Sequence, residues 1–381
     1  MALRNAVLAL CLPFVISACQ DASSPSDTDT ATPGIGSSAD GGTTQPYGEI
    51  FDQGVGAYQG QYQPAATEID GDAVVNEFAV GDGPLCLDGS AYKVSTREQS
   101  GTDLVIFLEG GGGCWSELCL ANETAGTGVP RRGILDPDLA GNPLATANVT
   151  YLPYCDGSLF VGDVDHDEPN YGKPENTEYQ RGLKNLSAGL DVAAATFPHP
   201  GRIVLAGNSG GAFGTLFALP LVRHLYPDVP IEVINDSGLG IAVDDNPDFI
   251  LGRIEDWNAV EFFPENGCSD CLVNGHMTEY LHWQMTQDPN FRLAMLTSKQ
   301  DFVIGTVFLG VGGSAFESSV LEQLPAIESF SAGRMRSWIT NGAEHTFIQR
   351  DVTATAGGVS VLDWLTDFLN DSPSWLSVRD D

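Results

Sequence analysis

Short apolar runs alternate along the chain with longer stretches whose apolar side chains recur every three or four positions. The short runs predict strands at Leu104–Leu108, Val149–Tyr154, Ile203–Ala206, Ile231–Asn235, Leu293–Thr297 and Met335–Thr340, since aliphatic runs of this length suit strands covered on both faces. The longer stretches predict helices at about Glu178–Thr196, Phe213–Tyr226, Phe249–Phe262, His276–Met285, Ala315–Phe330 and Val361–Leu369. Phe213, Leu216, Phe217, Leu221 and Leu225 fall on one helical face, which Pro220 is expected to kink. Such alternation predicts an α/β fold, a mainly parallel sheet flanked by helices. Neither an internal repeat nor a shift in composition marks a second domain within 47–376.

The N-terminus breaks this pattern. Arg4 precedes an apolar run from Ala6 to Ala18, shorter than the about 20 residues a membrane-spanning helix needs, so residues 1–18 read as a secretory signal. Ile16-Ser17-Ala18-Cys19 resembles the bacterial lipobox, in which the cysteine thiol receives a diacylglyceryl group and becomes the first residue after cleavage. Cys19 is thus the expected lipidation site and the one membrane contact, and Gln20 in place of an Asp points to the outer membrane or cell surface. An ordinary signal peptide with a free cysteine is the competing reading. Residues 19–46 are Ser, Thr, Asp, Gly and Pro with almost no large apolar side chain, the composition of a disordered tether. Residues 47–381 are left as one domain.

Charge and cysteine content narrow the partners. With 17 Lys+Arg against 51 Asp+Glu and a net charge of -34, the chain has few cations with which to displace phosphate counterions, which argues against nucleic acid. Of 8 cysteines, Cys11 leaves with the signal and Cys19 takes lipid. The others, Cys86, Cys114, Cys119, Cys155, Cys268 and Cys271, are even in number and face an oxidising compartment, so disulfides are expected. Their connectivity stays open, with Cys268 to Cys271 a local guess. A metal reading of that C-x-x-C lacks a second ligand pair.

Candidate chemistry follows the strand Ile203–Ala206. There Gly207-Asn208-Ser209-Gly210-Gly211 leads into a helix, the setting of a nucleophile elbow, in which small neighbours allow a sharp turn that lifts the serine hydroxyl into a cleft. A glycine-rich turn with a capping serine is the structural alternative. Strand Leu104–Leu108 runs into Glu109-Gly110-Gly111-Gly112-Gly113-Cys114-Trp115, where bare backbone N–H groups could receive an oxyanion. A phosphate loop there would need the Lys-Ser/Thr ending that this stretch lacks. Among six histidines, His345 follows the last predicted strand, where the order Ser, acid, His requires it. Asp301, a few residues after its strand, is the favoured acid, and Asp236 is read as bracing the site. Asp163, Asp165 and Asp167 lack the Gly and closing Glu of a calcium loop and read as a solvated turn. His276 and His282 belong to a Cys268–Met285 segment that reads as a lid or cap insert.

Phe107 to Trp115, Tyr154-Cys155-Asp156-Gly157-Ser158 with Phe160, Gly162 and Asp163, and the Gly207–Gly211 elbow together resemble the motifs of the pectin acetylesterases, whose animal relative is the carboxylesterase Notum. With Asn235–Gly238, Asp301 and His345 the resemblance covers about Leu85 to Phe347. It implies an α/β-hydrolase fold without cofactor or metal, a Ser209, Asp301 and His345 triad, and an oxyanion hole of the Gly111, Gly112 and Gly210 N–H groups. Two departures bear on the acyl group: Gly210 stands where the family usually has Ala, and Gly112 where relatives often carry a bulky aromatic.

The expected function is that of a surface-anchored serine carboxylesterase that removes an acyl group, foremost acetyl, from a polysaccharide or related substrate. The alternatives are an esterase for longer acyl chains, a glycan-binding protein that has lost turnover, and a structural lipoprotein.

Overall fold

The computed structural model describes residues 45–116, 118–166, 178–243, 248–272 and 275–381. The chain divides between Thr43 and Thr44, and the expectations for the signal, Cys19 and most of the tether lie outside the described residues.

A ten-stranded sheet organises the second unit. Its strands are β1 (Ala66–Asp70), β2 (Ala73–Glu77), β3 (Lys93–Arg97), β4 (Asp103–Leu108), β5 (Asn148–Leu152), β6 (Arg202–Asn208), β7 (Ile231–Asp236), β8 (Phe291–Ser298), β9 (Met335–Thr340) and β10 (Val378–Arg379). They lie in the order β1-β2-β3-β5-β4-β6-β7-β8-β9-β10. From β5 to β10 every pairing is parallel, and β1, β2 and β3 join antiparallel at one edge. This is an α/β-hydrolase fold.

Two apolar layers cover the sheet, and strand periodicity divides the side chains between them. Leu104, Ile106 and Leu108 of β4 pack in one cluster, while Val105 and Phe107 pack in the other, as alternation along a strand requires. The first layer takes helices α2 (Gly182–Thr196), α3 (Gly210–Leu225), α5 (Thr278–Gln287) and α6 (Gly313–Phe330), and α7 (Val361–Leu369) lies in the second. Fully burying a side chain the size of Phe107 contributes about 1.5–3 kcal/mol. Helices α1 (Gly48–Asp52) and α4 (Phe249–Asp256) complete the set.

The strands expected from the apolar runs are present within a few residues of their expected ends. β1 to β3 were not expected, for a physical reason: β1 reads Ala-Thr-Glu-Ile-Asp and is exposed along its whole length, so it carries no apolar signature. Two helix boundaries also need correction. Glu178–Gln180 is a strand paired to Val164–His166, and the helix begins only at Gly182. The helix starting at Phe249 stops at Asp256, before a separate 3-10 turn at Val260–Phe262. The elbow helix α3 runs unbroken through Pro220. Proline at 220 deprives the Leu216 carbonyl of its helical donor, and Gln284 Nε2 donates to that carbonyl at 2.6 Å instead.

Asp163 and Asp165 are not in a solvated turn. Asp163 accepts from Tyr58 Oη at 2.7 Å and lies 3.5 Å from Lys184, and Asp165 takes the Arg181 guanidinium at 2.6 Å. Asp167 lies outside the described residues.

The cysteines pair as Cys86–Cys155, Cys114–Cys119 and Cys268–Cys271. The local guess for the last pair is met, and its disulfide removes the thiolates a metal would need.

Candidate active site

β4, β6, β7 and β8 all end at the same edge. Register pairs Gly207 with Leu108, Asn208 with Asp236, and Asp236 with Leu296, so the loops after these strands converge, as open parallel sheets do at their carboxyl ends. Ser209 stands between β6 and α3 with φ 54° and ψ −125°. The neighbouring glycines make this turn possible. A Cβ on Gly207 would lie 2.3 Å from the Gly211 carbonyl oxygen, and one on Gly211 would lie 2.1 Å from that of Leu108. Asn235 locks the turn by donating to the carbonyls of Ala212 and Gly238 at 2.8 and 3.1 Å.

Asp301 and His345 come together. Asp301 Oδ2 lies 2.7 Å from His345 Nδ1, while Oδ1 accepts from the N–H groups of Val303 and Ile304, each at 3.0 Å. These donors open the π-helical segment Phe302–Phe308. Backbone bonds from Gln300 to Gly342 and from Phe302 to Ala343, both 3.1 Å, tie the two loops. His345 Nε2 is buried without a hydrogen-bond partner among the described residues, and His345 lines the same cleft as Ser209.

Asp236 takes no part in that pair. Its Oδ2 accepts from Phe347 and Ile348 N–H at 2.7 and 2.9 Å, fixing the chain just past His345, and its carbonyl accepts from Ser209 N–H at 2.8 Å. The other histidines are placed elsewhere. His276 Nδ1 accepts from Ala242 N–H at 3.1 Å, His282 stacks on Phe330, and His224 stacks on Phe51.

The glycine-rich loop closes over the serine. Gly111 and Gly112 line the cleft with Ser209 and His345, and Gly112 and Gly210 line a second cavity with Ser209. Gly112 has φ +93°, and a Cβ there would sit 1.7 Å from the Leu120 carbonyl oxygen, so the hairpin Gly112–Trp115 with Leu118–Ala121 leaves no room for an aromatic at this position. At Gly210 a Cβ would lie 3.1 Å from the Gly112 carbonyl oxygen, which a small shift would admit. The Tyr154–Ser158 motif supports the loop from beneath: Cys114 N–H donates to the Gly157 carbonyl at 2.7 Å, and Asp156 Oδ1 accepts from Ser158 N–H at 2.7 Å and from Ser158 Oγ at 2.5 Å.

Cys114, Cys119 and Glu178 bring ligand-type atoms within 4.8 Å of one another. Both sulfurs belong to one disulfide, so no thiolate is left to hold an ion.

Two spaces meet at Ser209. One is an apolar cavity of about 70 Å³ walled by Trp115, Phe213, Phe249, Trp257, Ile304 and Phe308. The other is a more open cleft of about 440 Å³ that includes His345, Arg132, Gln349 and Arg350. Sequence reasoning missed both walls. The aromatics come from separate helices and loops, and an available signal was that two basic residues, scarce in this chain, flank the expected site in Arg132 and Arg350.

Residues 65–249 match the pectinacetylesterase family model. That stretch is a pectinacetylesterase-family region. Two curated relatives agree with this. Over 178 residues the chain is 30% identical to pectin acetylesterase 7 of Arabidopsis thaliana, and over 177 residues it is 27% identical to pectin acetylesterase 11 of the same plant. Each match takes in 42% of this chain and 44% of the relative, so less than half of each relative's length is spanned. The family match includes the glycine-rich loop and Ser209 and ends before Asp301 and His345, whose pairing is a matter of geometry alone.

Burial at the site sets a pH dependence of folding. Asp156 and Asp236 are fully buried, and desolvation pushes each carboxyl up to about 6, against the opposing pull of the N–H groups they accept. Both therefore hold protons more tightly folded than unfolded, where an Asp titrates near 3.9. Their contribution is present in full below about pH 4 and is lost as pH rises through about 6, on the order of 3 kcal/mol for each group. Self-repulsion within a chain of net charge -34 acts in the same direction. The melting temperature should accordingly fall between pH 4.5 and pH 7.5; a rise across that window in a thermal-shift series would contradict this placement of the two carboxyls.

Proposed function

We propose that this protein is a serine carboxylic ester hydrolase that removes a short acyl group, foremost acetyl, from an acylated glycan or related alcohol. The observation that carries the reading is the Asp301–His345 pair at 2.7 Å, with His345 Nε2 unpartnered in the cleft that Ser209 lines. Ser209 Oγ attacks the ester carbonyl carbon, and His345 Nε2 takes its proton. Asp301 holds the imidazole with a hydrogen on Nδ1 and stabilises the cation that forms. The N–H groups of Gly111, Gly112 and Gly210 receive the oxyanion, each such donor lowering the barrier by about 3 kcal/mol. Collapse breaks the bond to the alcohol oxygen, which leaves with the proton from His345. Water, deprotonated by the same histidine, then releases the acid and restores the serine.

The names of the relatives support acetyl as the acyl group, and the cavity supports a short chain. A water needs roughly 10–15 Å³ of such space, so about 70 Å³ suits a few heavy atoms. Lipidation of Cys19 would hold the enzyme at a membrane surface outside the cytoplasm, a compartment that suits the three disulfides.

Hydrolysis of para-nitrophenyl esters from acetyl to palmitoyl by the full chain tests the reading. Rates should be highest from acetyl to butyryl and fall steeply beyond. Fastest turnover of the palmitoyl ester would replace the short-chain reading with a delipidating one, and no turnover at any length would overturn the esterase.

A further inference from the structure

Cations are scarce in this chain, and two of them stand at the cleft. Most described Lys and Arg side chains pair with a carboxylate, as expected where acids outnumber bases 51 to 17. Arg132 and Arg350, like Lys299, Arg334, Arg336 and Arg379 elsewhere, pair with no carboxylate among the described residues, but these two are exposed and line the cleft that holds His345. Their loops are locked together. Arg132 caps the turn Gly133–Leu135, Ile134 N–H donates to the Ile348 carbonyl at 2.9 Å, and a Cβ on Gly133 would lie 1.9 Å from that carbonyl oxygen. Between the two arginines sits Gln349, 5% exposed. Its Oε1 faces Arg132 Nη2 at 3.4 Å, and its amide group lies beside the buried Tyr151 hydroxyl.

We propose that Arg132, Arg350 and the Gln349 amide form an anion subsite that holds a negatively charged oxyanion group on the alcohol half of the substrate. The proposal rests on the esterase reading, because that reading assigns the side. His345 delivers its proton to the departing alcohol, so the cleft that contains His345 is where the alcohol lies. Guanidinium forks present paired N–H donors that match a carboxylate, sulfate or phosphate, and the Gln349 amide between them adds a polar group to the same wall. The carboxylate whose field reaches Arg132 is Glu109, half-buried behind the glycine-rich loop, and burial holds its pKa above the ordinary value. Asp236 and Asp301 are engaged by the N–H groups and the histidine already described. The net charge of -34 repels an anion at a distance, but at physiological salt that field fades within about 8 Å, so the local pair governs contact.

Matched synthetic esters test this on the full chain: para-acetoxybenzoate, its sulfonate counterpart, and neutral para-acetoxybenzamide. The ratio of kcat/KM for the anionic esters to that for the neutral one should fall about tenfold in Arg132→Gln and in Arg350→Gln, through KM for the anionic substrates. Arg379→Gln, which removes the same charge from an exposed strand end outside the cleft, should leave the ratio as it is. A larger drop for the benzoate than for the sulfonate would mark a carboxylate as the preferred group, and the reverse a sulfate-like one. A ratio unchanged in both cleft variants, with the wild type hydrolysing the neutral ester, would overturn the subsite and leave the esterase standing. Hydrolysis of none of the three would overturn both.

Discussion

Ser209→Ala is expected to lower ester turnover by about a millionfold while leaving the melting temperature nearly unchanged. The size follows from the serine being the only group in this arrangement that forms the covalent bond. What remains is the oxyanion donors and substrate binding, which alone still accelerate hydrolysis by water. Folding should tolerate the change, because the elbow is held by contacts that do not use the hydroxyl: Asn235 to the Ala212 and Gly238 carbonyls, and Ser209 N–H to the Asp236 carbonyl. His345→Ala should cost about as much, and the double variant little more, since the two act as one unit. A Ser209→Ala protein that kept a tenth of its activity would mean that the nucleophile lies elsewhere.

Asp301→Asn should reduce kcat by about ten thousandfold with little loss of structure. The Asn oxygen can still accept from Val303 and Ile304 N–H, as Asp301 Oδ1 does at 3.0 Å. Its amino group then faces His345 Nδ1, where Asp301 Oδ2 now lies at 2.7 Å. That donor moves the imidazole hydrogen to Nε2, which can no longer accept a proton from serine. Asp236→Asn makes the opposite case. An Asn oxygen there can accept from both Phe347 and Ile348, and the amino group takes the place of Oδ1, which has no partner. Its cost in kcat should stay within about tenfold, and it should flatten the fall in stability between pH 4.5 and 7.5. Steady-state kinetics of the two variants side by side decide the matter, and a larger loss from Asp236→Asn would reverse the assignment of the acid.

Strands buried on both faces were legible because burial on both faces leaves an aliphatic run, as in Leu104–Leu108 and Ile231–Asn235. β1 was not, since its side chains meet water and read as a polar linker. The serine elbow and the His345 position were legible from order along the chain, but the choice between Asp301 and Asp236 was not decided by order alone. Asp236 ends one strand of the sheet and Asp301 follows its neighbour, and the direction of each side chain separates them. Asp301 turns to the imidazole, whereas Asp236 turns to the N–H groups behind it. Pro220 shows the limit of local rules. The helix continues through it, and Gln284, far along the chain, satisfies the Leu216 carbonyl that the proline leaves without a donor. The aromatic wall of the cavity beside Ser209 was not legible for a related reason: Trp115, Phe213, Phe249 and Phe308 look like ordinary core residues until the fold brings them to one serine.

Net charge describes the molecule as a whole and not a single contact. A value of -34 argues against anionic partners for the molecule as a whole, yet Arg132 and Arg350 gather beside His345. Electrostatics at a contact is set by the nearest unscreened groups, and at physiological salt those lie within about 8 Å.

The central claim is that Ser209 is acylated during turnover, and a fluorophosphonate ester tests it most directly, since its phosphorus takes the place of the carbonyl carbon. Intact-mass measurement of the full chain should show one adduct, peptide mapping should locate it at Ser209, and neither Ser209→Ala nor His345→Ala should label at a comparable rate. An enzyme that hydrolyses esters but takes no label, or carries it on another residue, would contradict the claim.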